Sequence, residues 1–120
     1  MKQSFEYYMD QFVRGVQASE NVQYDKTLSV CIHNKAIDQY RNAAKKINEF
    51  YPDKIDTFLT LLKDNNPHIR LCCAVCVVEL MSTTENQKYI AVEQVRYEME
   101  NGNAIPLLGW KFWMNQHDEN

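Results

Sequence analysis

The stretch NPHIRLCCAVCVVEL, residues 66–80, places Cys72, Cys73 and Cys76 within five positions, and a fourth cysteine stands apart at Cys31. Thiols so spaced could hold a soft metal, cycle with a disulfide, or serve as small apolar filling. A structural zinc site takes four Cys or His ligands, commonly as two separated pairs, and here the second pair is missing. On a helix Cys72 and Cys76 share a face, while Cys73 points about a quarter-turn away. His68, one turn earlier, would extend that face into a His68–Cys72–Cys76 stripe, an opening for a metal or redox sensor. Redox C-x-x-C motifs sit at a helix amino terminus beside a strand, where the dipole acidifies the thiol. Cys73 and Cys76 have the spacing, but in the second and third turns and with no strand before them.

The packing reading explains more of the stretch. Nearly every position from Ile69 to Met81 is apolar, Arg70 and Glu79 being the exceptions. A helix apolar almost all round is one buried between neighbours, and unpaired cysteine behaves as a small buried residue. We therefore expect buried, slowly reacting thiols at Cys73 and Cys76, no metal and no cofactor. His33, His68 and His117 are spread over three segments, with no nucleophile, base and orienting acid identifiable near any of them. His33 lies on an apolar stripe, as a core histidine does. No phosphate-binding glycine loop, H-E-x-x-H or EF-hand pattern occurs. No residue is assigned a catalytic role, and the chain reads as a binder rather than an enzyme.

The 120 residues suit one domain with one core. Net charge is −3 and the pI about 5.6, which argues against a sequence-independent nucleic-acid binder. Residues 1–50 carry seven Lys/Arg against six Asp/Glu, and residues 51–120 six against ten, so the second half is the acidic one. An acidic face is usually a solvated surface, and it also suits a basic partner. No apolar run approaches the ~18 residues of a membrane span, and MKQSFEYYMDQF has no signal-peptide core. The expectation is a cytoplasmic protein with reduced thiols and no membrane association.

These residues must be positioned by helices, since no segment alternates apolar and polar as a half-buried strand would. Phe5, Tyr8, Met9, Phe12 and Val16 recur at helical spacing over about residues 3–18. After SENVQYD, a second helix from about Asp25 lines His33, Ile37, Tyr40, Ala44, Ile47 and Tyr51 along one side until Pro52. A third, opened by Pro52, carries Ile55, Phe58, Leu59 and Leu62. Asn66-Pro67 caps and starts a fourth over about 67–81. Thr84 and Gln87 stand at capping-box spacing for a fifth, which ends at Asn101-Gly102 and carries Ala91, Val92, Val95 and Met99 as its stripe. A last helix follows Asn103 through LLGWKFWMNQ, and residues 117–120 are expected to fray.

Segments 53–81 and 85–116 share one plan, an amphipathic helix, a break, then a more apolar helix, which suggests stacked pairs. IDTFLTLLKDNNPHIRLCCAVCVVEL resembles a HEAT repeat: Leu61-Leu62 close its first helix, Asp-Asn-Asn-Pro forms the turn, and Ile69-Arg70 stand where Val-Arg usually opens the second. HNKAIDQYRNAAKKI and AIPLLGWKFWMNQ extend the likeness, over residues 30–116, to a small bacterial HEAT-like family of unestablished function. The chain departs from the pattern by cysteines where alanines are usual and by an extra first helix. The resemblance implies an all-α fold of about six helices, a short α-solenoid of stacked hairpins in a single domain, 1–120. It also implies a protein-interaction module, most concretely an immunity protein that binds a basic bacterial toxin. Candidate partner-binding residues are the carboxylates Glu79, Glu93, Glu98 and Glu100, with Trp110 and Trp113 as aromatic anchors. Each has a plainer reading as solvated surface or helix seam. The rival from the same fold is an alkylated-base glycosylase, which needs a basic concave face such as Lys35, Arg41, Lys45, Lys46 and Arg70 could supply.

Overall fold

The computed structural model describes residues 2–20, 27–101 and 116, with the side chains of the second helix from Asn34 onward. Every regular element among them is helical: α1 Phe5–Ser19, α2 Thr27–Phe50, α3 Ile55–Phe58, α4 Pro67–Leu80 and α5 Glu85–Glu100, with 3-10 turns at Pro52–Lys54 and Leu59–Lys63. The all-α class is as the sequence reads. The helix expected after Asn103, with Trp110 and Trp113, lies outside the described residues except for Gln116. The chain groups into two compact units, Met1–Ile55 and Asp56–Asn120.

In the first unit Ser4 opens α1, its hydroxyl accepting the Tyr7 amide at 3.0 Å, as an N-cap does. That cap sets the register in which Phe5, Tyr8, Phe12 and Val16 are buried, while Met9 is only half-buried. The two helices run antiparallel, because the start of α1 meets the end of α2. Tyr51 donates to the Gln3 carbonyl at 2.7 Å, the Phe5 and Tyr51 rings meet edge to face, and Phe12 meets Tyr40 at mid-helix. Gln39 donates to both oxygens of Gln11, its carbonyl at 3.2 Å and its side-chain amide at 3.1 Å.

Gly15 makes the closest approach. A Cβ there would stand 2.9 Å from the Tyr40 nitrogen and 3.0 Å from the Ala36 carbonyl oxygen, so the backbones touch where no side chain intervenes. The same crowding explains a shift in α2. Of the expected stripe Ala44 and Ile47 are buried, but they are joined by Ala36 and Ala43, while Ile37 and Tyr40 are half-exposed. Small side chains let the helices close, and the larger ones flank the seam.

The expected third helix, whose residues fall partly in each unit, is not one regular helix. Residues 52–63 alternate 3-10, α and 3-10 turns, and the Thr60 hydroxyl takes the Thr57 carbonyl at 2.6 Å, an i−3 contact that suits the tighter winding. Phe58 is fully buried, whereas Leu59 and Leu62 are half-buried. Asn66 accepts the His68 amide at 2.9 Å and starts α4 with Pro67, as its sequence requires. Thr84 and Gln87 form the full capping box of α5, and the Gln87 amide also donates to Asp56 at 2.8 Å. Both the turn 59–63 and α5 pack on α4, which explains why α4 is apolar on all sides.

Gly15→Ala is expected to lower the free energy of unfolding by about 1–2 kcal/mol, overpacking of the seam outweighing alanine's helix preference. Urea denaturation of the two proteins measures it, and equal midpoints would show the seam to be looser than described.

Candidate functional site

The N-cap at Thr84 fixes which residues of α5 turn inward. Ala91, Val92, Val95 and Glu98 are buried. On the other side Tyr89, Glu93, Tyr97 and Glu100 follow at i, i+4, i+8 and i+11, a continuous stripe about 16 Å long at helical rise. Tyr89 is 65% exposed, Tyr97 52%, and Ile90, at the shoulder of the stripe, 42%. Glu100 is exposed, and Glu93 is half-exposed in an ion pair with Arg96 at 3.1 Å. Large side chains gathered on one face, with amphipathic tyrosines among them, differ from the single exposed apolar residues any surface has. The aromatic anchors expected from sequence, Trp110 and Trp113, lie outside the described residues, and Tyr89 and Tyr97 are not among the expected candidates. The signal was available: both stand opposite the Ala91–Val95 stripe.

Glu98 corrects the set of exposed carboxylates. It is fully buried, because it follows Ala91 by seven residues and Val95 by three and so belongs to the inward stripe. Arg70 of α4 meets it with two bonds, Nε to Oε2 at 2.7 Å and Nη2 to Oε1 at 3.2 Å, and Gln94 adds a third donor at 2.6 Å. The remaining Arg70 nitrogen donates to the carbonyls of Asp64 at 2.9 Å and Asn65 at 3.3 Å. Such bidentate pairing is the strongest form of charged hydrogen bond, and it holds the Arg70 guanidinium above its ordinary pKa. Arg70 lies near the start of α4 and Glu98 near the end of α5, so the pair also fixes the two helices as antiparallel.

Glu79 is exposed on α4. Arg70, spent on Glu98, is no part of an open basic face. On α2, Lys35 and Lys45 are exposed, Arg41 is half-buried, and Lys46 pairs with Glu49 at 3.7 Å; Asp38 is exposed among them. The face is of mixed sign.

The cysteines of α4 are buried, Cys73 and Cys76 completely. The Cys73 thiol donates to the Phe58 carbonyl at 3.5 Å, and burial, with Cys76 and Cys72 nearby, pushes its pKa well above the ordinary thiol value. His68 Nε2 lies 3.8 Å from the Cys72 sulfur, so the structure brings together two members of the anticipated stripe. Among the described residues no three His, Cys, Asp or Glu side chains are placed to share a metal ion, and no helix is long and apolar enough to cross a membrane. Set against models of protein families, curated proteins and solved structures, the chain matches none.

Arg70→Met leaves a buried carboxylate without its charge partner and is expected to cost about 3–5 kcal/mol. Replacing both in Arg70→Met/Glu98→Leu should recover most of that loss, which chemical denaturation of the single and double variants reads as a coupling energy. The raised Cys73 pKa has a signed consequence for pH. Below the ordinary thiol value of 9.0 both folded and unfolded chains keep the proton; above it the unfolded chain loses its proton first, so stability falls as pH rises. Cys73→Ala should reduce that slope between pH 8 and 10 by up to about 1.4 kcal/mol per pH unit. An unchanged slope would count against the burial.

Proposed function

We propose that the chain is a non-catalytic protein-binding module, a HEAT-like stack of helix hairpins that acts as an immunity protein against a basic toxin domain. One observation carries the reading: the outward stripe of α5, where Tyr89, Ile90 and Tyr97 stand exposed beside Glu93 and Glu100. Tyrosines supply large rigid contact area and dominate binding energy at interfaces, while carboxylates around them steer a cationic partner and reject an anionic one. The acidic balance of residues 51–120 acts in the same direction. Consistent with a stacked-hairpin plan, α4 and α5 form an antiparallel pair joined by four residues, 81–84. The mixed charges of α2 and the engagement of Arg70 give the nucleic-acid alternative little to build on.

The test is co-expression with the protein encoded beside it. The chain should suppress that protein's toxicity and form a complex stable to gel filtration, weakened at high salt. Tyr89→Ala/Tyr97→Ala should weaken binding by at least about 30-fold, the size of one interfacial hot spot of ~2 kcal/mol, while leaving thermal unfolding within a few degrees. A neighbour that is harmless and unbound, or a double variant that binds as tightly as the parent, defeats the proposal.

A further inference from the structure

We infer that Cys72 and His68 form a thiol–imidazole pair, and that among the three thiols of α4 Cys72 is the one that small soft electrophiles modify. The three thiols of α4 lie within five consecutive residues, yet their surroundings differ. Cys73 and Cys76 have no exposed surface, whereas Cys72 keeps 7%. Cys73 is held by the Phe58 carbonyl, an acceptor that cannot take its proton away. Cys72 instead faces His68 Nε2 at 3.8 Å, from a histidine that is itself half-exposed at the start of the helix. Four residues of helix put the two side chains on one face, so the contact follows from the backbone and needs no folding of distant segments.

A thiol becomes nucleophilic as thiolate, and a neighbouring imidazole is one of the groups that produce it. In the step assigned here the Cys72 proton passes to His68 Nε2 and the sulfur pair forms a bond to the electrophile's carbon. The leaving group departs with its bonding electrons, and the imidazolium returns its proton to solvent. With iodoacetamide the products are the carboxamidomethyl thioether, iodide and one proton. The burial of Cys73 and Cys76 supplies an internal comparison, since any general opening of the protein would expose all three thiols together.

The experiment is alkylation of the folded protein by iodoacetamide at neutral pH, with each cysteine followed by fragment-resolved mass spectrometry. Cys72 should react at least tenfold faster than Cys73 and Cys76. His68→Gln should slow Cys72 about tenfold relative to those two, the loss expected when a thiol is deprived of its base, with circular dichroism verifying that the variant is folded. Equal rates at the three positions in the parent protein overturn the inference without any variant. So does a Cys72 rate that His68→Gln leaves unchanged relative to Cys73.

Discussion

A carboxylate with no access to water must be matched within the protein or the fold fails around it, and the organisation of the second unit turns on how Glu98 is matched. Two guanidinium bonds and one amide bond engage both of its oxygens. Because the guanidinium also holds the carbonyls of Asp64 and Asn65, one side chain joins the turn before α4, the start of α4 and the end of α5. Apolar surfaces can slide past one another at modest cost. A bidentate pair cannot, so the pair selects the register of the hairpin from among those its apolar residues would tolerate.

That register has two outcomes on opposite sides of α5. Inward, it lets Ala91, Val92 and Val95 cover an α4 that is apolar all round, and the thiols there become part of the packing. Outward, it presents Tyr89, Glu93, Tyr97 and Glu100 as one stripe. The candidate surface is therefore a consequence of the buried charge: turn α5 by a quarter-turn and neither face would survive.

Much of this was legible from residue order. The caps at Asn66 and Thr84, the apolar girth of α4 and the inward stripes of α1 and α5 follow from local chemistry that neighbouring residues supply. Other features depended on what lies across the seam. Glu98 looked like a surface carboxylate because its partner is 28 positions away, although its place three residues after Val95 and the lone arginine in an apolar helix were both visible. Ala36 and Ala43 stood outside the expected stripe of α2 because apolar spacing favours bulk, whereas the burial of Ala36 reflects the close approach of the backbone at Gly15. The segment 52–63 has the apolar spacing of an α-helix, and spacing alone does not distinguish that from alternating 3-10 turns over so short a length.

The capping box of α5 carries a further meaning for residue choice. Glutamate serves the back-reaching position of such a box as well as glutamine does, since only an oxygen is required. At Gln87 the oxygen accepts the Thr84 amide, but the nitrogen on the same carbon donates to the Asp56 carboxylate. A glutamate would keep the cap and set two negative groups against each other. The amide is thus a bifunctional connector, and its identity is dictated by a residue 31 positions earlier rather than by the helix it begins.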